Sequence, residues 1–329
     1  MQDYILKKDF INFEPATLKD YTSFCNIGFG ISKVFARPLG VALTSIFENN
    51  KDCHFIAHIF IEELNVEDLI RFKKLALKYN QKLIFYYVDP QAFANCRTTD
   101  LVWKATYYRL IGAGVLYGLV DYLFWIDSDT ICCGSLKEIF NLELSNKIVA
   151  VVLHAKQKGM VDERIRVLKL KGKKYFNAGV ILINVNNWKT FDANNKILSM
   201  VKNPDPSWII YDQDMLNVLL DEQFECLPYT YNFQRLNGSP EYTEIPKDVR
   251  LYHYIGREKP WIEYESEFQE PWLKYWRQSF WNDVPLDKVE FKKGNATMFR
   301  LMSKADFKHG KVYAGLINYI KYLYLKLFA

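Results

Sequence analysis

This sequence lacks several patterns that would assign it quickly to a class of protein. No apolar run approaches the roughly 20 residues that a membrane-spanning helix needs, and the opening MQDYILKKDF has no signal-peptide pattern. Six cysteines are present, but their spacings are typical of neither a zinc site nor a disulfide framework. We therefore expect a cytoplasmic protein whose thiols are reduced.

The sequence also lacks the GxGxxG fingerprint of a dinucleotide-binding turn, although Gly28 and Gly30 lie in a short apolar run. What it has is an alternation of strand-like and helical patterns. Strands are predicted at 25–31, 54–61, 83–88, 123–126, 147–153 and 250–254, and helices at 37–47, 66–79 and 103–117. This alternation predicts an α/β fold with a mostly parallel sheet flanked by helices.

The stretch LFWIDSDTI, residues 123–131, is the most informative one. Its four apolar residues fit a short buried strand, and Asp127, Ser128 and Asp129 follow where the strand leaves the sheet. Ligands of open α/β sheets bind beyond the carboxyl ends of the strands. Two carboxylates one residue apart repel each other unless a cation lies between them, which favours Mg²⁺ or Mn²⁺. A loop aspartate that caps the next helix fits the spacing equally well.

Five stretches in a fixed order carry a family resemblance. They are ATYYRL at 105–110, LFWIDSDT at 123–130, YFNAGVILIN at 175–184, YDQDMLN at 211–217 and HYIGREKPW at 253–261. In them the sequence resembles glycosyltransferase family 8, particularly the bacterial lipopolysaccharide core galactosyl- and glucosyltransferases. The resemblance implies a GT-A fold, which is a single Rossmann-like domain. It also implies a retaining enzyme that moves glucose or galactose from a UDP-sugar to a saccharide acceptor, the lipopolysaccharide core.

The resemblance implies a metal site made of Asp127, Asp129 and His253, which would hold Mn²⁺ or Mg²⁺. Three protein ligands leave room for both phosphates of the donor, and an imidazole shifts the preference toward Mn²⁺. A lone histidine after a strand is more often structural. Gly256 and Lys259 favour the metal role, because glycine lets the backbone approach a phosphate and lysine neutralises its charge.

The resemblance also assigns residues to the donor. Those expected at the nucleotide are Ser32, Phe35, Arg109, Ser128, Gly256 and Lys259, and those expected at the sugar are Asn177, Asp212 and Gln213. By residue type alone, Arg109 also fits a helix-surface salt bridge, and Asn177 and Asp212 fit turn or cap positions. Gln213 lies where a nucleophile is expected, and an amide is a poor one. Same-face attack is therefore expected, with Asp212 as a covalent nucleophile left open.

One position departs from the family pattern. Where the family usually has an aspartate that reads the uracil ring, this sequence has Ser32, and Phe35 remains to stack on the base. Ser32 substitutes for the carboxylate, or base selectivity is relaxed, or the local alignment is off. The diphosphate half of the predicted site is therefore better supported than the base half.

The 329 residues divide into an N-terminal extension at 1–23, a catalytic domain at 24–282 and a basic, aromatic C-terminal segment at 283–329. From Leu286 onward, nine Lys and Arg against three Asp and Glu give a net charge of +6. Because the whole chain carries +5, the remainder is at −1. Apolar residues near the end recur every three or four positions, which predicts a helix with one apolar face.

We expect this segment to lie on the anionic inner face of the cytoplasmic membrane, close to a lipid-linked acceptor. Packing against the catalytic domain or a partner subunit is the alternative for the apolar face. No nucleic-acid partner is expected. Two rival functions also remain: a phosphatase of the DxDxT type, and a sugar-nucleotide-binding protein without catalytic activity. The phosphatase pattern usually lies at the first strand of its domain, whereas three strands are predicted before Asp127.

Overall fold

A computed structural model describes residues 2–15, 17, 19–94, 96, 98, 104–155, 159–235, 245–264, 267–292 and 294–328. Its strands are β1 (Ile5–Ile11), β2 (Cys25–Gly30), β3 (Phe55–Ile61), β4 (Lys82–Val88), β5 (Tyr122–Ile126), β6 (Thr130–Cys132), β7 (Val149–Leu153), β8 (Phe176–Asn184), β9 (Phe224–Cys226), β10 (Phe233–Arg235) and β11 (Leu251–Tyr254).

Its α-helices are α1 (Lys19–Thr22), α2 (Ala36–Asn49), α3 (Val66–Tyr79), α4 (Arg109–Val115), α5 (Met160–Val167), α6 (Val185–Thr190), α7 (Ala193–Lys202), α8 (Tyr211–Leu219), α9 (Glu270–Trp276), α10 (Ala296–Lys308) and α11 (Val312–Leu327).

The main sheet runs in the order β1-β4-β3-β2-β5-β8-β7-β9. Four of its pairs are parallel, namely β4–β3, β3–β2, β2–β5 and β7–β9, and the other three are antiparallel. A hydrophobic core covers each face of this sheet. Along β5, Leu123 and Trp125 belong to one hydrophobic core, whereas Phe124 and Ile126 belong to the other. The α/β architecture and the mostly parallel sheet predicted from the sequence are confirmed.

Helix α3 shows how local chemistry sets an element's ends. The side chain of Asn65 caps its start by accepting the backbone N–H of Asp68 at 2.7 Å. Asn80 ends it in the left-handed conformation, with φ of +50°. Phe72 and Leu75 are fully buried between these caps. The predicted bounds, 66–79, therefore agree with the structure.

A second, smaller sheet lies beside the carboxyl end of β5, in the order β10-β11-β6. Strand β6 follows β5 after only three residues, so Asp127, Ser128 and Asp129 connect the two sheets. Strand β11 is antiparallel to β6, and His253 is paired with Thr130. This register places the histidine beside the aspartates.

The N-terminal residues continue the main sheet. Strand β1 pairs antiparallel with β4 from Ile11 to Ile5, at the outer edge of the sheet. Residues 1–23, predicted as a peripheral extension, thus contribute a strand to the catalytic fold. The helix predicted at 103–117 is also shorter than expected: Lys104–Tyr108 form a 3-10 helix before α4, and Trp103 lies outside the described residues.

The C-terminal segment contains a hairpin of two helices, α10 and α11, of which α11 is the helix that the apolar periodicity near the end of the chain predicts. In α10, Met298 and Phe299 are buried, and Ser303 donates its hydroxyl to the carbonyl of Gly315 in α11 at 2.8 Å. Helix α11 nevertheless keeps large apolar side chains in solvent, with Ile320 64% exposed. Leu301 and Met302 of α10 pack against the hydrophobic cluster around Trp272, so α10 anchors the hairpin and α11 faces outward.

Trp281, near the end of the predicted catalytic domain, packs against helix α3. Its ring centroid lies 4.8 Å from that of Phe72, and its indole N–H donates to Asp68 at 2.6 Å. We expect Trp281→Ala to lower the free energy of unfolding by about 3–5 kcal/mol, because a large buried ring leaves a cavity. Urea unfolding measures this. Tyr313→Ala, at a side chain 80% exposed, is the control and should change stability little. Equal losses in both variants would contradict the packing role.

Candidate active site

Three side chains with metal-binding atoms converge where the two sheets meet. Ligand atoms of Asp127, Asp129 and His253 all lie within 4.8 Å of one another. The backbone holds this arrangement: the N–H of Asp127 donates to the carbonyl of Gly179 at 2.7 Å, and the N–H of Tyr254 donates to that of Asp129 at 3.0 Å. The structure therefore brings together the three residues that the sequence predicts as a metal site.

The two carboxylates differ in their charge environment. Burial disfavours the charged form of Asp129, but the ammonium of Lys259, 2.6 Å away, holds the pKa of this carboxyl well below its usual range. Burial raises the pKa of Asp127, the guanidinium of Arg109 opposes this, and the neighbouring Asp129 adds to the rise. Two carboxylates held this close favour a cation between them.

The residues present fit a divalent cation. Oxygen Oδ1 of Asp129 is buried and receives no hydrogen bond from any residue that the structure describes. It lies 3.2 Å from Nε2 of His253. Space for a cation also depends on Gly179, where a Cβ atom would collide with the ring of His253 and come within 2.9 Å of Asp127 Oδ2. Two carboxylates and one imidazole are a donor set that suits Mn²⁺ or Mg²⁺.

Arg109 joins the metal cradle, which is formed by Asp127, Asp129 and His253, to the predicted sugar site. It is 6% exposed, and its Nη2 lies 2.8 Å from Asp127 whereas its Nε lies 3.2 Å from Asp212. Its Nη1 donates to the carbonyl of Ala178. The alternative of a helix-surface salt bridge is therefore wrong. Burial raises the pKa of Asp212 to about 6, against the effect of Arg109.

Asn177 and Gln213, both predicted at the sugar, are buried and contact each other. Asn177 Nδ2 donates to Gln213 Oε1 at 3.2 Å, and the backbone N–H of Ala178 donates to the same oxygen at 3.1 Å. Gln213 lies beside Asp212 in the first turn of α8. Strand β8 and helix α8 thus place the amides next to the carboxylate that Arg109 holds.

The loop after β11 lies against the expected base site. Gly256 has φ of +86°, a conformation that favours glycine. At the end of the loop, Trp261 packs edge-on against Phe35, with ring centroids 5.6 Å apart. Ser32 Oγ is buried and has no hydrogen-bond partner among the described residues, so this hydroxyl is free to bond a ligand. Ser128, between the two aspartates, is also buried.

The structure adds one member that no sequence motif indicates. Asn232 is fully buried, and its Oδ1 lies 2.9 Å from Nδ1 of His253. It is the last residue of a short 3-10 helix, Tyr229–Asn232, and directly precedes β10, in a stretch that resembles an ordinary loop. Gly179, by contrast, lies inside a stretch that carries the family resemblance, and its crowding explains why a glycine is needed there.

Comparison with known sequences agrees with this geometry. The model of Glycosyl transferase family 8 matches residues 26–265, and that of Glycosyl transferase family 8 C-terminal matches residues 268–326. A lipopolysaccharide 1,2-glucosyltransferase of Escherichia coli is 28% identical, over 97% of this chain and 96% of its own. A lipopolysaccharide 1,3-galactosyltransferase of Salmonella typhimurium is 29% identical, over 96% and 95%.

Solved structures show the same fold. The galactosyltransferase LgtC, in complex with donor and acceptor sugar analogs, has a TM-score of 0.65 and 20% identity, covering 79% of this chain and 99% of LgtC. The bifunctional glycosyltransferase WbbM has a TM-score of 0.67 and 19% identity, covering 82% of this chain and 52% of WbbM. The fold is thus that of a GT-A glycosyltransferase. The chain belongs to glycosyltransferase family 8.

The metal cradle can be tested without any substrate. Asp129→Asn should weaken Mn²⁺ binding strongly, because it replaces a charged ligand by a neutral amide between Lys259 and His253. Electron paramagnetic resonance of free Mn²⁺ measures the affinity. Asp121→Asn makes the same chemical change at an exposed position before β5 and should leave the affinity unchanged. Unaltered Mn²⁺ affinity in Asp129→Asn would contradict the assignment.

Proposed function

We propose that this protein is a retaining hexosyltransferase that moves glucose or galactose from a UDP-sugar to a lipopolysaccharide core saccharide. The proposal rests mainly on two ion pairs that Arg109 makes, one with Asp127 and one with Asp212. They join a cation cradle to a buried carboxylate and two amides, in one continuous site. The relatives named for lipopolysaccharide glucosyl- and galactosyltransfer support the choice of sugar and acceptor.

Asp127, Asp129 and His253 would hold the metal, Mn²⁺ or Mg²⁺. When bound, such an ion would neutralise charge that develops on the departing diphosphate. Lys259 is the protein's own cation for this purpose. Its Nζ contacts Asp129 at 2.6 Å and the carbonyl of Tyr254 at 2.7 Å, so it is already held at the edge of the cradle. Gly256 lets the backbone approach the phosphates.

The sugar side of the site favours attack on the face from which UDP leaves. The Gln213 amide is a poor nucleophile, and the Asp212 carboxylate is engaged by Arg109 at 3.2 Å. Asn177 and Gln213 would bond sugar hydroxyls and orient the anomeric carbon. The leaving phosphate would then accept the proton of the acceptor hydroxyl, and positioning would supply much of the rate.

The reaction itself gives the first test. We expect turnover of UDP-glucose or UDP-galactose with Mn²⁺ and a lipopolysaccharide core oligosaccharide, with release of UDP and retention of the anomeric configuration. Nuclear magnetic resonance of the product determines that configuration. An inverted product would contradict retention. Release of inorganic phosphate would indicate a phosphatase, and binding of UDP-sugar without turnover would indicate a protein without transferase activity.

Two variants distinguish the residue expected to bind the nucleotide from the residue expected to bind the sugar. Lys259→Ala should weaken UDP binding about 10- to 100-fold, because a charge-assisted contact to the diphosphate is lost. Without UDP it should not weaken Mn²⁺ binding, since Lys259 contacts Asp129 Oδ2 and its removal leaves the carboxylate in place with less positive charge beside it. Gln213→Ala should lower kcat and leave UDP affinity nearly unchanged. Calorimetry and steady-state kinetics measure these effects.

The control for Lys259→Ala is Lys137→Ala, which removes an exposed ion pair with Asp52 and should change neither UDP affinity nor Mn²⁺ affinity. Equal losses of UDP affinity in Lys259→Ala and Gln213→Ala would contradict the two assignments.

We propose further that the enzyme works on the inner face of the cytoplasmic membrane, attached through α11. The described residues include no helix long and apolar enough to cross a membrane. Helix α11 instead exposes Tyr313, Ile320 and Leu327 along one side, spaced as on a single helical face. Lys321 and Lys326 lie on the same helix, and basic side chains beside an apolar face suit anionic headgroups.

Single substitutions test this better than a deletion of the C-terminal segment, because Leu301 and Met302 of α10 pack against the catalytic domain. We expect Ile320→Glu to reduce binding to vesicles of anionic phospholipid, since a carboxylate replaces an apolar side chain that is 64% exposed. Leu77→Glu, at a side chain 68% exposed on α3, is the matched control and should bind as the wild type does. Co-sedimentation at low and high salt measures binding. Wild-type protein that fails to bind at low salt would contradict the proposal.

A further inference from the structure

A chain of hydrogen bonds between buried side chains runs from α5 to the predicted metal ligand His253. At its far end, Arg164 in α5 forms a two-point ion pair with Asp214 in α8, at 3.2 and 2.8 Å. Asp214 is fully buried, and Arg164 is 3% exposed. The hydroxyl of Tyr175 lies 2.7 Å from Asp214 Oδ1. Because a carboxylate in such a pair only accepts, the Tyr175 hydroxyl must donate its hydrogen to it.

The direction of the next bonds follows. With its hydrogen committed, the Tyr175 oxygen accepts from Gln213 Nε2 at 2.9 Å. The backbone N–H of Ala178 confirms which end of the Gln213 amide is the oxygen, since it donates to Oε1. Asn177 must then use its NH₂ group toward that oxygen, at 3.2 Å. The backbone N–H of Gly179 likewise identifies Asn177 Oδ1 as an acceptor, at 3.0 Å.

The chain ends at the histidine. Asn232 Nδ2 donates to Asn177 Oδ1 at 2.9 Å, so only the oxygen of Asn232 is left to face Nδ1 of His253, also at 2.9 Å. Nδ1 must therefore carry the hydrogen. In the neutral imidazole the lone pair is then on Nε2, the nitrogen that lies 3.2 Å from Asp129 Oδ1. A histidine binds a metal through such an unprotonated nitrogen.

We propose that Asn232 is the positioning residue that fixes the Nδ1–H tautomer of His253, and that Tyr175 sets the direction of the chain that orients Asn232. The same chain fixes the amides of Asn177 and Gln213. Each of these amides has two N–H bonds and uses one in the chain; among the described residues the other N–H has no partner, so it is available to a ligand. The metal ligand and the predicted sugar ligands are thus oriented together before any substrate binds. The tautomer assignment is independent of the proposed function, whereas its effect on metal affinity rests on it.

The tautomer can be measured in metal-free protein. The ¹⁵N and ¹³C chemical shifts of the His253 ring, assigned with a His253→Ala sample, distinguish the two neutral tautomers at a pH where imidazoles are uncharged. We expect Nδ1–H in the wild type and a loss of this preference in Asn232→Leu, which has similar volume and no acceptor. In Asn232→Leu, Mn²⁺ affinity should also fall about 10- to 100-fold.

Asn232→Asp separates positioning from a merely structural role. Its carboxylate still accepts from Nδ1–H but cannot donate to Asn177, so we expect the Nδ1–H tautomer and Mn²⁺ binding to persist. Tyr175→Phe breaks the chain between Asp214 and Gln213 and should weaken the tautomer preference without touching the histidine. Thermal unfolding of each metal-free variant checks that it is folded.

The inference is overturned if wild-type His253 is Nε2–H, or if a folded Asn232→Leu keeps both the wild-type tautomer and the wild-type Mn²⁺ affinity. Equal losses of Mn²⁺ binding in the Leu and Asp variants would also contradict it. An Nδ1–H tautomer in a protein that binds no Mn²⁺ would support the chain and contradict the proposed metal function.

Discussion

The site depends on how buried carboxylates are neutralised at the end of β5. Among the described residues at the site, Asp127, Asp129 and Asp212 are opposed by only two cationic side chains, Arg109 and Lys259. Buried charges are costly unless they are paired. Arg109 pairs with two of the three carboxylates and so fixes their separation. The charge left over is negative, and a divalent cation would turn the cradle positive, which suits the diphosphate of a nucleotide-sugar.

The topology explains why these groups meet. Strand β5 has β2 as a parallel neighbour on one side and β8 as an antiparallel neighbour on the other, so its carboxyl end meets the start of β8. Residue 127 therefore lies beside Gly179, and the absence of a side chain there leaves room for the His253 ring. In the small sheet, β11 pairs with β6, and this pairing brings His253 next to the two aspartates. Two short strands thus complete a site that the main sheet begins.

Much of this could be predicted from the sequence because it is encoded locally. The bounds of α3 follow from its caps and apolar spacing, and the strand before Asp127 follows from a run of apolar residues. The family stretches supplied His253. Contacts between distant parts of the chain could not be predicted in this way. Helix α5 forms at Met160–Val167 and buries Arg164 against Asp214, 50 residues further along the chain. No local pattern indicates such a distant partner. Asn232 escaped prediction for the same reason, since its role depends on Asn177 and His253.

We propose that one cation site joins the donor diphosphate to the buried sugar-binding residues. Anomalous diffraction from crystals grown with Mn²⁺ and UDP would test it most directly. We expect a manganese peak within coordination distance of Asp127, Asp129 and His253, with the UDP phosphates on its open side. A manganese peak elsewhere, or UDP bound in that cradle with no metal between it and the two aspartates, would contradict this proposal.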